Sequence, residues 1–241
     1  MSKVIAVFGA GTGLGVSVAR RFGREGYRVA LVARRPEQLT ALVTTLAAEG
    51  IEAAAFPADL RDTAGIPALI QAITEHWGRI DVIEYAPITT ELSELMTPAA
   101  GLTPAALEPL VSLYLYTPVE LIRTVLPAML ERGDGAILVG HGAAAVHPIP
   151  FRSGVGPAMA AARNYLGSLH GELADRGVYV GTLTVAAMII GSAGHRFLTS
   201  SKAETGIDPA GIPTVNPADL ADLLWEMSTK RDRFEEYHPR P

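Results

Sequence analysis

The chain has 241 residues, 49% of them apolar, and a net charge of −5, which suits one α/β domain with a large core. It carries no basic block, so nothing points to nucleic acid, and it has no cysteine, which excludes disulfides and thiolate chemistry. No apolar run nears the ~20 residues of a membrane span. The N-terminal run is broken too early, at Gly9, for a secretory signal, so a cytoplasmic protein is expected.

From the N-terminus, Val4 to Phe8 is a short apolar run without helical period and reads as a buried strand. Glycines then fall on alternate positions, Gly9, Gly11, Gly13 and Gly15, before an amphipathic stretch with Val16, Val18 and Ala19. In a strand, glycine-rich turn and helix, free backbone N–H groups and the helix dipole converge on a phosphate. Such a turn alone is weak evidence, because it also serves as a plain connection. The βαβ pattern that continues behind it favours nucleotide binding.

Arg28 to Ala33 is a second buried strand. Pro36 opens a helix from Glu37 to Glu49, which Gly50 ends as a C′ residue. Ile51 to Phe56 is a third strand, Thr63 caps a helix to Trp77, and Ile80 to Tyr85 is a fourth strand. A loop occupies Pro87 to Pro104, and a helical region interrupted by Pro109, Pro118 and Pro127 runs to Arg132. Ala136 to Gly140 is a fifth strand, small residues and prolines fill Gly142 to Gly156, and a helix follows to about Ala174. Val178 to Val185 is a sixth strand; after a polar loop, Asn216-Pro217 starts a last helix to Lys230. The alternation predicts a doubly wound parallel sheet (a Rossmann fold) of six or seven strands in a single domain over residues 1–241, a seventh coming from Phe234 to Tyr237. Function then belongs in the loops at the carboxyl ends of the strands.

With these residues in place the chain resembles the short-chain dehydrogenase/reductase family, over nearly its whole length. The family's GxxxGxG is Gly9, Gly13 and Gly15; Asp59 in Ala-Asp-Leu matches its adenine-contacting aspartate. Gly78-Arg79-Ile80-Asp81 and Gly135-Ala-Ile-Leu-Val match its entries to strands four and five. The resemblance implies a dinucleotide held by Gly9, Gly11, Thr12, Gly13, Leu14, Gly15, Asp59, Leu60 and Ala86. An acid at the end of strand two would hold ribose hydroxyls and repel a 2′-phosphate. Here Arg34 and Arg35 stand instead, which favours NADP(H) over NAD(H); the blander account is a solvated basic turn beside Glu37. A homodimer or homotetramer through the helix of Gly156, Ala158, Ala160, Ala161 and Ala162 is also implied.

The family's proton relay is another matter. Its serine, tyrosine, lysine and asparagine positions fall on Gly142, Val155, Met159 and Ser112, and no Tyr-x-x-x-Lys occurs in the chain. The Asn-Asn-Ala-Gly after strand four reads Glu84-Tyr85-Ala86-Pro87. Replacement groups expected at the crevice are His141 and Tyr85, with Ser192 and Tyr116 nearby. His141 has the intrinsic pKa for work near neutrality, though it reads equally as a loop histidine. His147, Tyr165 and Arg152 have bland readings as loop, packing and surface residues. No metal-ligand spacing is present. Three functions stay open: an NADP-dependent oxidoreductase with a non-standard relay, a non-catalytic Rossmann module for a dinucleotide or apolar small ligand, and an S-adenosylmethionine methyltransferase. Against the last, Val7 stands where that family's first motif has an acid.

Overall fold

Alternate residues of a strand face opposite sides, and in the first strand both sides are fully buried, as a parallel sheet covered by helices requires. The structure is a computed structural model and describes residues 2–89, 91–200, 208 and 211–240. The first half holds β1 (Val4–Phe8), α1 (Leu14–Arg24), β2 (Arg28–Ala33), α2 (Pro36–Ala48), β3 (Ala53–Pro57), α3 (Ile66–Trp77), β4 (Val82–Tyr85), α4 (Leu92–Leu95), α5 (Pro104–Val111) and α6 (Thr117–Arg132). The second half holds β5 (Gly135–Gly142), α7 (Val155–Leu173), β6 (Val178–Val185), β7 (Met188–Ile189), α8 (Ala193–Ser200), β8 (Thr214–Val215), α9 (Pro217–Lys230) and β9 (Glu235–His238).

The main sheet has seven strands in the order β3-β2-β1-β4-β5-β6-β9, with every neighbouring pair parallel. The expected doubly wound sheet is therefore present, and its seventh strand lies one residue beyond Phe234 to Tyr237. Val4, Ala6 and Phe8 pack with α3, α6 and α7; Ile5 and Val7 pack with α1, α2 and α9. The strand order reverses at β1, between β2 and β4, so the crevice opens at the carboxyl end of β1. Among the described residues, no helix is long and apolar enough to cross a membrane.

Several boundaries move, each for a local reason. Strand β3 starts at Ala53 because the N–H of Ile51 bonds the Leu46 carbonyl and closes α2, with Gly50 at φ +78°. Thr63 is no helix cap: the Asp62 carboxylate accepts from Gly65 N–H across a 3₁₀ turn, and α3 begins after it. The loop after β4 carries α4 and a 3₁₀ turn, and the polar loop after β6 carries β7, α8 and β8. The small residues of α7 divide: Gly156, Ala158 and Ala162 are buried within the fold, while Ala160 and Ala161 are exposed.

Between α5 and α6 the helix widens into a π-turn over Ser112–Tyr116, where Thr117 N–H reaches back to the Ser112 carbonyl. The next N–H that would serve the Leu113 carbonyl belongs to Pro118, which has none. That carbonyl is taken by the Tyr85 hydroxyl. A long-range bond thus fills the gap that a proline leaves in a helix.

Glu84 is the exception within the sheet. It pairs in register with Val7 and Leu138, is 1% exposed, and neither carboxyl oxygen has a hydrogen-bond partner among the described residues. Burial pushes its pKa up to about 8, so the folded chain holds it protonated near neutrality. The folded state binds the extra proton between the ordinary value near 4.5 and about 8. Stability is therefore full below that window and falls as pH rises through it, by about 1.4 kcal/mol per pH unit. Glu84→Gln should flatten this decline in urea unfolding measured from pH 5 to 8.5. An unchanged slope in the variant would remove Glu84 as its cause.

Candidate functional site

The end of β1 turns sharply. The N–H groups of Gly9 and Ala10 both bond the Val32 carbonyl, and Gly9 sits at φ +92°. A Cβ on Gly9 would lie 2.8 Å from the Pro87 backbone, and one on Gly15 would lie 2.9 Å from Ala10 Cα. Glycine is required at both by backbone packing. Gly11 differs: the nearest protein atoms to a Cβ there are 3.7 Å away, and the residue faces a cavity. Helix α1 starts with no side-chain cap and no acid in its first turn, so, apart from the Val16 N–H that bonds the Gly11 carbonyl at 3.0 Å, its first-turn N–H groups and dipole are left for an anion. The donor set fits a pyrophosphate.

The cavity measures about 350 Å³. One end is walled by Arg34, Arg35 and Gln38, the middle by the glycine-rich turn, Asp59 to Arg61 and Ala86, and the far end by His141, Gly142, Met159, Met188 and Ile189. All the residues expected to hold a dinucleotide, from Gly9 through Ala86, therefore border one space. Arg34 and Arg35 are exposed, and no ion pair engages either of them among the described residues. Asp59 accepts the Arg61 N–H at 3.0 Å and stays exposed. Leu60 buries its side chain in the core, while its carbonyl accepts the Thr117 hydroxyl at 2.7 Å.

One expectation at the far end is corrected. Tyr85 does not face the crevice: it is 2% exposed, lies outside the cavity wall, and spends its hydroxyl on the Leu113 carbonyl. Burial raises its pKa well above the ordinary phenol value, so it is no proton carrier. His141 does line the cavity, as expected. Burial pushes its pKa down to about 4, with the Glu235 carboxylate opposing that shift and the Arg163 guanidinium adding to it. Arg163 grips Glu235 through both guanidinium arms, and the Thr184 hydroxyl donates to the same carboxylate at 2.9 Å. His141 Nε2 is buried with no partner among the described residues.

Of the four family relay positions, Gly142 and Met159 border the cavity, whereas Ser112 and Val155 do not. Tyr116 is exposed on the π-turn, and His147 meets Tyr237 edge-on with ring centroids 5.7 Å apart, both outside the cavity wall. Ser192 lines the cavity as expected. Sequence reasoning missed Gln38, His195 and Arg196. The last two sit on α8, and their signal was a helical spacing from Ser192, hidden inside a stretch read as polar loop.

Comparison with known proteins agrees with this layout. The short chain dehydrogenase family model matches residues 3–193. The ketoacyl reductase HetN of Nostoc sp. is 30% identical over 178 residues, which cover 74% of this chain and 61% of that protein. A putative ketoacyl reductase of Streptomyces coelicolor is 33% identical over 160 residues, covering 62% of this chain and 58% of that protein. The matches thus span about three fifths of those two relatives. A solved structure of an actinorhodin polyketide ketoreductase variant with NADPH has the same fold, at TM-score 0.86 and 23% identity over 98% of this chain and 95% of that one. A sheet that reverses its order at β1, glycines packed as that turn demands, and a family match over most of the length lead to one assignment: the chain belongs to the short-chain dehydrogenase family.

Proposed function

We propose that the protein is an NADP(H)-dependent oxidoreductase acting on an apolar small carbonyl or enone compound. One observation carries this reading: a single cavity joins the unpaired guanidiniums of Arg34 and Arg35 to a largely apolar end that holds His141. Arg34 and Arg35 receive the 2′-phosphate, the glycine-rich turn and α1 receive the pyrophosphate, and Asp59 and Ala86 flank the adenine and ribose path. Bound NADPH supplies the hydride. Met159, Met188, Ile189 and Leu113 hold the apolar substrate and exclude water. The NADPH-bearing ketoreductase of like fold and the two ketoacyl reductase relatives support the choice of chemistry.

His141 works in its neutral form. A neutral imidazole donates a hydrogen bond without giving up its proton and polarises a carbonyl oxygen held against it. Solvent then supplies the proton that completes the alcohol. A binding module without turnover is the second reading, favoured by Gly142, Val155, Met159 and Ser112 at the family's relay positions. Assembly into homo-oligomers would use the outward face of α7, with Ala160 and Ala161.

Arg34→Ala should weaken NADPH roughly ten-fold or more, the scale of one charge-assisted hydrogen bond, and leave NADH nearly unchanged. Equal loss for both cofactors in a fluorescence titration would refute the selector role.

His141→Ala should lower kcat for NADPH oxidation roughly 10²-fold against a panel of ketones, quinones and enones, with little change in KM. Tyr85→Phe should leave turnover alone and cost about 1 kcal/mol of stability. The wild-type rate should show no histidine inflection near 6.5 and should fall only as pH drops toward about 4. An inflection near 6.5 that vanishes in His141→Ala would show a titrating acid instead. NADPH binding with no turnover across the panel would favour the binding module.

A further inference from the structure

We infer that Arg196 completes the phosphate site from the wall facing the glycine-rich turn, gripping the pyrophosphate that NADPH and NADH share. The inference rests on the dinucleotide reading above and assigns a residue to it.

The glycine-rich turn supplies backbone donors, and the charge over it comes from the segment that follows β7. Gly191, at φ +73°, turns the chain into α8, and the Ser192 hydroxyl oxygen accepts the His195 N–H at 3.0 Å. The Arg196 N–H bonds the Ser192 carbonyl at 3.1 Å, so the arginine sits one turn into the helix. The segment rests directly on the turn: a Cβ added to Gly13 would lie 2.7 Å from Ser192 Cβ. Thr12 donates its hydroxyl to the Gly191 carbonyl at 2.8 Å. Arg196 Nη1 bonds the same carbonyl at 2.6 Å and Thr12 Oγ1 at 3.0 Å.

Charge separates Arg196 from an ordinary loop arginine. Four arginines line the cavity: Arg34, Arg35, Arg61 and Arg196. Arg61 is neutralised by Glu94 at 2.7 Å. The partners of Arg196 are a hydroxyl and a carbonyl, both neutral, so a full positive charge stands at the turn with no counter-ion among the described residues. An uncompensated guanidinium beside a helix N-terminus that lacks a cap or an acid is phosphate-binding chemistry. Arg34 and Arg35 follow the strand whose Val32 carbonyl takes the Gly9 and Ala10 N–H groups, whereas Arg196 contacts Thr12, so the two groups meet the turn at different points and answer to different phosphates. On binding, Arg196 exchanges its contacts to Thr12 and Gly191 for phosphate oxygens.

The test is direct binding to the full chain by calorimetry, with NADP⁺, NAD⁺ and 2′-AMP as probes. Arg196→Met keeps the apolar stem and removes the charge. It should weaken NADP⁺ and NAD⁺ alike, roughly ten-fold or more, and change 2′-AMP less than two-fold. Arg34→Ala should give the complementary pattern, losing NADP⁺ and 2′-AMP and sparing NAD⁺. Arg196→Lys should recover most of the dinucleotide affinity. Equal loss of 2′-AMP and NADP⁺ in Arg196→Met would make the arginine structural and overturn the inference. So would unchanged dinucleotide affinity, while the dinucleotide reading stood. A wild-type chain that binds neither dinucleotide would overturn both.

Discussion

The carbonyl of Val32 accepts two N–H groups, from Gly9 and Ala10, each at 2.9 Å. That shared acceptor ends β1 and bends the chain out of the sheet. The bend needs Gly9 at positive φ and against Pro87, and it sets the start of α1 above the strand ends. The sheet order reverses at this same strand, so the helix N-terminus and the topological crevice coincide. Every other part of the site is defined relative to it: β2 delivers Arg34 and Arg35, β4 delivers Ala86 and Pro87, and the segment after β7 lies on Gly13.

Much of this was legible in the residues. Two-faced apolar strands such as Val4–Phe8 and Val178–Val185 announce a covered parallel sheet, and glycines mark where backbones touch. Side-chain direction and depth were less legible. Tyr85 and His141 both stand near strand ends and face the α7 side of the sheet. Tyr85 is capped by the π-turn, whose free carbonyl exists only because of Pro118, thirty-three residues later in the chain (118 minus 85). His141 sits on a longer strand and reaches the cavity. No local pattern distinguishes the two.

Burial likewise changes what a residue type does. The sequence shows a histidine at the end of one strand and an acid, Glu84, within another, but not the charge state of either. In place, His141 is a neutral imidazole and Glu84 a neutral carboxyl, because low-dielectric surroundings penalise either charge. The segment from Met188 to Val215 was unreadable for another reason. Among the described residues its strands are two residues each and pair with each other, so they carry no hydrophobic period.

The bare guanidiniums of Arg34 and Arg35 also bear on how fast a ligand arrives. The chain as a whole carries −5, which repels anions at long range. On the proposed dinucleotide reading, two guanidiniums with no ion pair among the described residues would oppose that field locally and draw a polyanionic ligand in by its phosphates. Capture therefore slows as added salt shortens the reach of the field to about 10 Å at 0.1 M. Escape, governed by contacts already made inside the cavity, responds far less. On that reading the entrance would act as an electrostatic funnel whose aperture is set by ionic strength.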